Sequence, residues 1–186
     1  MTDERPAADG HAQEPADDPA PDAHDHAHAD GPVSYAVVTV SSSRTLAEDT
    51  AGDAVVAAAE DAGDEVATRE LVTDDYDGVQ STVSRLSNRD DVTAVVTVGG
   101  TGVTPDDVTV QAVRPLLTKE LPGFGELFRS LSFESVGTAT ITTRTTAGVV
   151  DETPVFCLPG SEDAARLGAR RIVVREAGHL ARLAGR

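Results

Sequence analysis

The sequence predicts an α/β fold, namely a three-layer α/β/α sandwich with a mostly parallel sheet. From residue 33 onward, short valine-rich runs alternate with segments of helical periodicity. Strands separated by helices of this length are typical of right-handed βαβ units, which build parallel sheets. The first valine-rich run also lacks polar alternation, which is typical of a strand buried on both faces. We therefore expect helices on both sides of the sheet.

The first half of this region contains three predicted strands and two predicted helices. The strands are β-rich apolar runs at 35–40 (YAVVTV), 65–72 (EVATRELV) and 92–98 (VTAVVTV). The first helix follows the first strand, with Asp49 or Thr50 as its N-cap and Gly63 as the residue that ends it. Apolar residues spaced at i, i+4 and i+7 over 79–86 predict the second helix.

The second half continues the alternation. Predicted helices lie at 107–120 (DVTVQAVRPLLTKE), 123–131 (GFGELFRSL) and 161–183, and predicted strands lie at 139–143 (ATITT) and 154–158 (PVFCL). Pro115 falls inside the first of these helices. Because a proline removes one helical hydrogen bond and crowds the preceding turn, we expect a kink there.

Residues 1–32 are set apart by their composition. They consist almost entirely of Asp, Glu, Ala, Pro, Gly and His, with no aromatic or large aliphatic side chain after the initial methionine. Such a segment cannot bury enough apolar surface to offset its ordering entropy, so we expect a disordered tail at 1–32 and one domain at 33–186. The histidines of 24–30 (HDHAHAD) could bind a transition metal weakly, but a solvated role is more typical.

The chain carries a formal net charge of −17. Residues 1–32 contain nine acidic residues and one arginine, so 23 acidic and 14 basic residues remain in 33–186. With one lysine and abundant aspartate, this composition is typical of a protein adapted to concentrated salt, and an ordinary acidic protein is the alternative. No basic stripe is present, so we expect no nucleic-acid partner, and a polyanionic ligand would need a metal counter-ion.

Cys157 is the only cysteine, so no intramolecular disulfide can form. Its neighbours, PVFCLPG, are typical of a buried strand and favour a core thiol over a nucleophile. The N-terminus shows no signal-peptide pattern, and no apolar run approaches membrane-spanning length. We therefore expect a cytoplasmic protein with no membrane partner.

Ligands of a parallel sheet bind in the loops at the carboxyl ends of its strands. After the third predicted strand, Gly99, Gly100 and Gly102 allow a sharp turn and a close approach of backbone N–H groups to a ligand. Thr101 adds a hydroxyl donor. The spacing matches neither the Walker motif nor the dinucleotide fingerprint, so a tight structural turn is the alternative.

Acidic pairs follow two of the predicted strands. Asp106 and Asp107 come directly after the glycine-rich loop, and another pair stands at 74–75. Carboxylates in a polyphosphate site hold Mg²⁺, which neutralises phosphate oxygens. For one residue of the 106–107 pair, helix capping is the favoured alternative. Residues 159–161 (PGS) could likewise bind an anion at a helix N-terminus or simply provide an N-cap serine.

Five segments of the chain form a recognisable combination. They are 39–52 (TVSSSRTLAEDTAG), 99–109 (GGTGVTPDDVT), 120–139 (ELPGFGELFRSLSFESVGTA), 143–148 (TRTTAG) and 156–161 (FCLPGS). Together they resemble the MoaB/MogA family of molybdenum cofactor biosynthesis proteins, from residue 33 to the end. The run GFGELFR at 123–129 separates this family from the molybdenum-insertion and competence-damage proteins, which share a glycine loop.

The resemblance implies an enzyme that adenylylates molybdopterin, using Mg²⁺ and ATP and releasing adenylyl-molybdopterin and pyrophosphate. It also implies a homo-oligomer, either a trimer or a hexamer, and the molybdenum-insertion protein as a partner. Two alternatives remain. One is a non-catalytic protein of the MoaB branch that binds molybdopterin and passes it on, and the other is a nucleotide-processing enzyme of the competence-damage type.

The resemblance also implies roles for individual residues. Asp74 and Asp107 would be catalytic and would hold Mg²⁺, which leaves the capping role to Asp106. The residues implied in nucleotide binding are Asp49, Gly52, Gly99, Gly100, Thr101, Gly102, Pro159, Gly160 and Ser161. Those implied in pterin binding are Gly125, Glu126 and Arg144, with Arg144 as a bidentate partner of the pterin phosphate. The chain departs from the family at 110–111, where Val-Gln replaces Pro-Glu and removes one carboxylate near the loop.

Overall fold

The structure, a computed structural model, describes residues 31–185. The predictions for residues 1–30, including the histidine-rich run, lie outside the described residues. The strands are β1 (Ser34–Val40), β2 (Glu65–Val72), β3 (Ala94–Val98), β4 (Lys119–Glu120), β5 (Thr146–Val150) and β6 (Thr153–Leu158). The helices are α1 (Thr50–Asp61), α2 (Tyr76–Ser87), α3 (Thr109–Val113), α4 (Pro122–Val136), α5 (Glu162–Gly168) and α6 (Val174–Ala184).

The strands of the described residues form one sheet in the order β2-β1-β3-β6-β5-β4. The pairs β1–β2, β1–β3 and β3–β6 are parallel, whereas β5 is antiparallel to β6 and β4 is antiparallel to β5. The predicted, mostly parallel sheet is therefore confirmed. The carboxyl ends of β1, β3 and β6 lie side by side at one end of the sheet, which is where the site is built.

Helices cover both faces of the sheet, which confirms the three-layer sandwich. On one face, α1, α4, α5 and α6 pack against a core that includes Val37 and Val96. On the other face, α2 and α3 pack against a core that includes Val38 and Val95. Because successive side chains of a strand point to opposite faces, adjacent valines of one strand serve different cores. This double burial explains the absence of polar alternation in β1.

The predicted strand at 139–143 is wrong. Residues 139–142 lie in a 3₁₀ helix, Gly137–Thr142, which Thr143 follows as its C-cap, and Ile141 is 84% exposed. The strand is instead β5, which pairs Ala147 with Phe156 of β6. Threonine and isoleucine have a high intrinsic strand propensity, but that propensity reflects packing in a sheet. The small residues of β5 fit between β4 and β6, whereas the threonine-rich run faces solvent.

The predicted helix at 107–120 is confirmed only in part, over 109–116. Only α3 is α-helical, and the kink expected at Pro115 is a change to a 3₁₀ turn, Arg114–Leu116. The chain then extends into β4 at the edge of the sheet. The N-cap of α3 is Val108, without a side-chain cap, so the capping role predicted for Asp106 is wrong.

The predicted final helix is confirmed as helical throughout, with an irregularity at its centre. A π-helical turn, Ala169–Val173, joins α5 to α6. Ser161 is the N-cap of α5 by position, but its side chain makes no capping hydrogen bond. None of the helices within residues 31–185 combines the length and the apolar composition that a membrane crossing requires.

A buried ion pair ties β1, β2 and α1 together. Asp49 is fully buried and is the N-cap of α1, where it accepts a hydrogen bond from the Gly52 backbone N–H at 2.9 Å. It also accepts hydrogen bonds from the Thr39 hydroxyl and from Arg69 Nη2, the latter at 2.8 Å. Burial alone raises the pKa of Asp49, but the Thr39, Arg69 and Gly52 hydrogen bonds outweigh it and lower the pKa. The carboxylate is therefore kept charged inside the fold.

Removing the cation of this pair should destabilise the fold, because a buried carboxylate would lose its partner. The Arg69 side chain is itself 24% exposed. We therefore expect Arg69→Met to lower the free energy of unfolding by about 2 kcal/mol, less than for a fully buried pair. The control is Arg85→Met, which breaks the more exposed pair with Glu70 and should cost below about 1 kcal/mol. Urea denaturation measures both, and equal losses would contradict the structural role of the Asp49 pair.

Candidate active site

The loops after β1, β3 and β6 enclose a cavity of about 430 Å³, here called the glycine-loop cavity. Its lining residues are Val40, Ser41, Ser43, Arg44, Gly99, Gly100, Thr101, Gly102, Asp107, Thr142, Thr143, Pro159, Gly160 and Ser161. The structure thus brings together the glycine-rich loop, Asp107 and the 159–161 segment, which are far apart in the sequence. It does so because parallel strands that are adjacent in the sheet end at the same side.

The glycines of this loop are required by the backbone itself. Gly99 has φ +106° and Gly100 has φ +64°, in the left-handed region. A Cβ on Gly99 would collide with the carbonyl oxygen of Val40, and a Cβ on Gly100 would collide with the Thr109 hydroxyl. That hydroxyl donates to the Gly99 carbonyl at 2.8 Å. The loop is therefore a tight structural turn and, at the same time, a wall of the cavity.

Asp107 carries the carboxylate that lines this cavity. Its Oδ2 accepts hydrogen bonds from the Thr104 backbone N–H at 2.8 Å and from the Thr104 hydroxyl at 2.7 Å. Partial burial raises the pKa of Asp107, but the hydrogen bonds from Thr104 and the Gly102 backbone, with the charge of Arg144, outweigh it and lower the pKa. The side chain is thus a fixed anion at the mouth of the loop.

Arg44 is a lining residue that the sequence reasoning missed. Its Nη1 donates to the Gly160 carbonyl at 3.0 Å, which joins the loop after β1 to the loop after β6. It is the one lysine or arginine among the lining residues of the glycine-loop cavity. The sequence feature that could have indicated Arg44 is its position in SSSRT, a polar loop directly after a buried strand. A positive charge in such a loop is expected where a polyanion is to bind.

Asp74, Asp49 and Gly52 do not line the glycine-loop cavity. Asp74 Oδ2 accepts a hydrogen bond from the Ser42 backbone N–H at 2.6 Å, so it holds the loop that carries Arg44. Asp49 and Gly52 lie in the buried network beneath that loop. The catalytic and Mg²⁺-binding role of Asp74 and the nucleotide contacts of Asp49 and Gly52 stay predictions. The observed contacts of these three residues position the walls of the cavity.

The residues present fit a magnesium ion that arrives with a nucleotide. Magnesium usually keeps several waters and is bound by one or two carboxylates together with substrate phosphates. Asp107 offers one such carboxylate, and both Thr104 hydrogen bonds fall on Oδ2, away from Oδ1. Within residues 31–185, no group of three or more His, Cys, Asp or Glu side chains is arranged to hold a metal by itself. The donor set therefore suits a shared metal rather than a protein-only cage.

A second cavity of about 440 Å³, here called the α4 cavity, lies beside the first. Its lining residues are Val110, Gln111, Arg114, Glu120, Leu121, Pro122, Gly125, Glu126, Arg129, Arg144, Thr145 and Thr146. The three residues implied in pterin binding, Gly125, Glu126 and Arg144, all belong to this set. The residues predicted for pterin binding thus line a different cavity from residues 99–102 and 159–161, which were predicted for nucleotide binding.

Arg144 forms the boundary between the cavities. Its Nε donates to the Gly102 carbonyl, its Nη2 donates to the Asp107 carbonyl at 2.6 Å, and its backbone N–H donates to the Thr101 carbonyl at 2.9 Å. These contacts hold the glycine-rich loop against the start of β5. The guanidinium is thus already engaged by the loop, which leaves it fewer donors for the phosphate contact predicted from the resemblance.

The single cysteine has no part in either cavity. Cys157 is fully buried in β6. Burial raises the pKa of its thiol to about 11, against a smaller lowering effect of the Thr97 hydroxyl. The predicted core thiol is confirmed, because a thiol that is neutral at physiological pH and closed to solvent is a poor nucleophile.

Comparisons with known proteins agree with this geometry. A family described as "Probable molybdopterin binding domain" matches residues 36–179. Molybdenum cofactor biosynthesis protein B of Bacillus subtilis (strain 168) is 42% identical over 147 residues, which cover 78% of this chain and 86% of that protein. The chain belongs to the MoaB/MogA family of molybdenum cofactor biosynthesis proteins.

Solved structures of this family share the fold. A crystal structure of a molybdenum cofactor biosynthesis protein B has a TM-score of 0.80 at 37% identity, covering 83% of this chain and 96% of that one. The tungsten cofactor synthesizing protein MoaB from Pyrococcus furiosus has a TM-score of 0.74 at 35% identity, covering 83% and 98%. The MoaB/MogA resemblance found in the sequence motifs is therefore confirmed.

The glycine-rich loop allows a direct test of its geometry. Gly99→Ala should lower the free energy of unfolding by at least about 2 kcal/mol, because the left-handed backbone and the contact with the Val40 carbonyl both oppose a Cβ. Gly123→Ala in α4 is the matched control, since its Cβ would meet nothing within 4 Å. That control should be neutral or stabilising by under about 1 kcal/mol. Thermal and urea unfolding measure the difference, and a stable Gly99→Ala variant would refute the loop geometry.

Proposed function

We propose that this protein transfers the adenylyl group of ATP to the terminal phosphate of molybdopterin. An oxygen of the pterin phosphate forms a bond to the α-phosphorus of ATP. The bond between that phosphorus and the α,β-bridging oxygen breaks, and its electron pair leaves with pyrophosphate. The products are adenylyl-molybdopterin and pyrophosphate, and no oxidant or reductant is consumed.

One observation supports this reaction most strongly. Two cavities of nearly equal volume, about 430 and 440 Å³, lie on either side of the Arg144 contact with the glycine-rich loop. A transfer between two bound substrates needs adjacent sites that hold both reactants in line. A hydrolase or a simple carrier needs only one such cavity, so the paired arrangement favours a two-substrate transfer.

In this proposal the glycine-loop cavity takes the nucleotide. The backbone of Gly100 and Thr101 supplies N–H donors, because the Gly99 N–H already donates to the Leu158 carbonyl at 3.0 Å. Arg44 supplies a positive charge. Asp107 would hold Mg²⁺ together with the ATP phosphates, and the bound ion would supply neutralisation of the phosphate charge. Asp74 acts through Ser42, by keeping the loop that carries Arg44 in place.

The α4 cavity takes the pterin. Gly125 and Glu126 face this cavity from α4, and Arg144 closes it toward the nucleotide. The chain itself contributes orientation and exclusion of water, since transfer between two polyanions depends mainly on positioning and charge neutralisation. The product would pass to the molybdenum-insertion protein, which we expect as a partner.

A second candidate function is non-catalytic binding of molybdopterin. It is favoured by the presence of a single carboxylate, Asp107, among the lining residues of the glycine-loop cavity, while Asp74 lies outside that set. Incubation of the protein with molybdopterin, ATP and Mg²⁺ in concentrated salt distinguishes the two. Adenylylated pterin supports the enzyme, whereas tight pterin binding without any product supports the carrier.

Loss of the Asp107 charge should abolish transfer and leave the fold intact. We expect Asp107→Asn to reduce kcat by about 100-fold or more, because the metal loses its protein carboxylate. Asp106→Asn is the control and should retain nearly full activity, since Asp106 is not a lining residue of the cavity. Initial rates of pyrophosphate release measure both. Unchanged turnover in Asp107→Asn would show that the catalytic site lies elsewhere.

We also propose that the chain assembles with itself. The end of α4 and the turn after it expose large apolar side chains, with Phe133 at 56%, Val136 at 53% and Ile141 at 84%. Apolar residues grouped on one surface are typical of an interface. The MoaB/MogA resemblance makes a trimer or a hexamer the expected state.

Light scattering tests this assembly. The expected mass is three or six times that of one chain, and Phe133→Asp should shift the protein toward monomers, because the charge would be buried in the interface. Leu183→Asp, at an exposed leucine of α6 (46% exposed), is the control and should not change the mass. A monomeric wild type would overturn the assembly proposal.

A further inference from the structure

Arg129 is a partly buried arginine of α4 that has no carboxylate or carbonyl partner among the described residues. Partly buried arginines of residues 31–185 also include Arg69, Arg89 and Arg144, and each of these donates to a carboxylate or a carbonyl oxygen. Arg129 is the one member of this group without a hydrogen bond or ion pair among the described residues. A guanidinium that has lost part of its hydration and gained no partner is a group that can bind an incoming anion.

Gly125 leaves room for this guanidinium. It lies inside α4, one turn before Arg129, where a glycine costs about 1 kcal/mol relative to alanine. A Cβ at this position would stand 3.0 Å from Arg129 Nη1 and 3.0 Å from the Thr145 carbonyl oxygen. The missing side chain therefore lets the guanidinium lie against the helix backbone, at the wall of the α4 cavity.

The other cations of the α4 cavity are already used. Arg114 Nε pairs with Glu120 at 2.7 Å, and Arg144 donates to the carbonyls of the glycine-rich loop. Glu126 lines the same cavity, but it forms no ion pair with Arg129. Of the arginines that line this cavity, Arg129 is thus the one that makes no hydrogen bond or ion pair within the described part of the chain.

We propose that Arg129 binds the phosphate monoester of the ligand in the α4 cavity. The planar guanidinium offers two parallel N–H donors that match two phosphate oxygens, a geometry that a lysine ammonium does not reproduce. Arg144 is then a positioning residue, which holds the loop between the cavities. The identity of the phosphate as that of molybdopterin rests on the proposed function, whereas the anion site itself does not.

Inorganic phosphate tests the anion site without any pterin. Spectra of protein with ¹⁵N-labelled arginine report each side-chain Nε–H, and Arg129→Lys assigns the Arg129 signal by its loss. We expect this signal to shift saturably as phosphate is added at constant ionic strength. Arg175 is the matched reference, because it is an exposed arginine of α6 without a partner among the described residues. Equal, non-saturating shifts of the two signals would overturn the proposal.

Molybdopterin binding tests the role of this site in the proposed function. We expect Arg129→Gln to raise the Kd for molybdopterin roughly tenfold to a hundredfold, and Arg129→Lys to restore only part of the loss. The Kd for Mg-ATP should stay within about twofold, since the nucleotide occupies the other cavity. Arg175→Gln should change neither value.

The two proposals fail in different ways. If the wild type binds molybdopterin and Arg129→Gln binds it equally well, the inference about Arg129 is overturned and the proposed function stands. If the wild type does not bind molybdopterin but phosphate shifts the Arg129 signal saturably, the proposed function fails and the anion site stands. An Arg129→Gln variant that weakens molybdopterin and Mg-ATP to the same extent would also overturn the inference, because that pattern indicates a general structural loss.

Discussion

The close approach of the Gly99 backbone to the Val40 carbonyl is the constraint on which the site depends. This contact brings the loop after β3 onto the end of β1, where no side chain could fit. Gly160, in the loop after β6, lies against Gly99 as well, and a Cβ on Gly160 would stand 3.1 Å from the Gly99 Cα. Three loops are therefore packed at van der Waals distance by two residues without side chains. The cavity forms around this contact.

Arg144 also holds the glycine-rich loop in place. By donating to two carbonyls of the glycine-rich loop, it replaces hydrogen bonds that the loop would otherwise make to water. Its positive charge also contributes to the lowered pKa of Asp107. One side chain thus fixes the loop, adds to the hydrogen bonds from Thr104 that lower the pKa of Asp107, and separates the two cavities.

The acidic residues of the protein engage several of its arginines in ion pairs. Several arginines of the described residues are paired with carboxylates, among them Arg69, Arg85, Arg166 and Arg170. A chain with a net charge of −17 repels polyanions at long range. Arginines nevertheless line both cavities, with Arg44 in the glycine-loop cavity and Arg129 and Arg144 in the α4 cavity. Concentrated salt would lessen the repulsion by screening it.

The sequence by itself determined the layers of the fold and the loops that carry the site. Valine runs and helical periods are local patterns, so the glycine-rich loop, the acidic pair at 106–107 and residues 159–161 could be located along the chain. The choice of Asp107 within that pair rested on the MoaB/MogA resemblance, and the strand order that brings the three loops together is seen only in the structure. The tertiary structure alone decided where β5 lies, because the threonine-rich run at 139–143 has strand propensity but no strand beside it. It alone decided the partners of the arginines: Arg144 is engaged by the loop, and Arg129 is left open above Gly125. Hydrogen-bond partners are set by distances between segments that are remote in the chain, and composition and spacing carry no record of those distances.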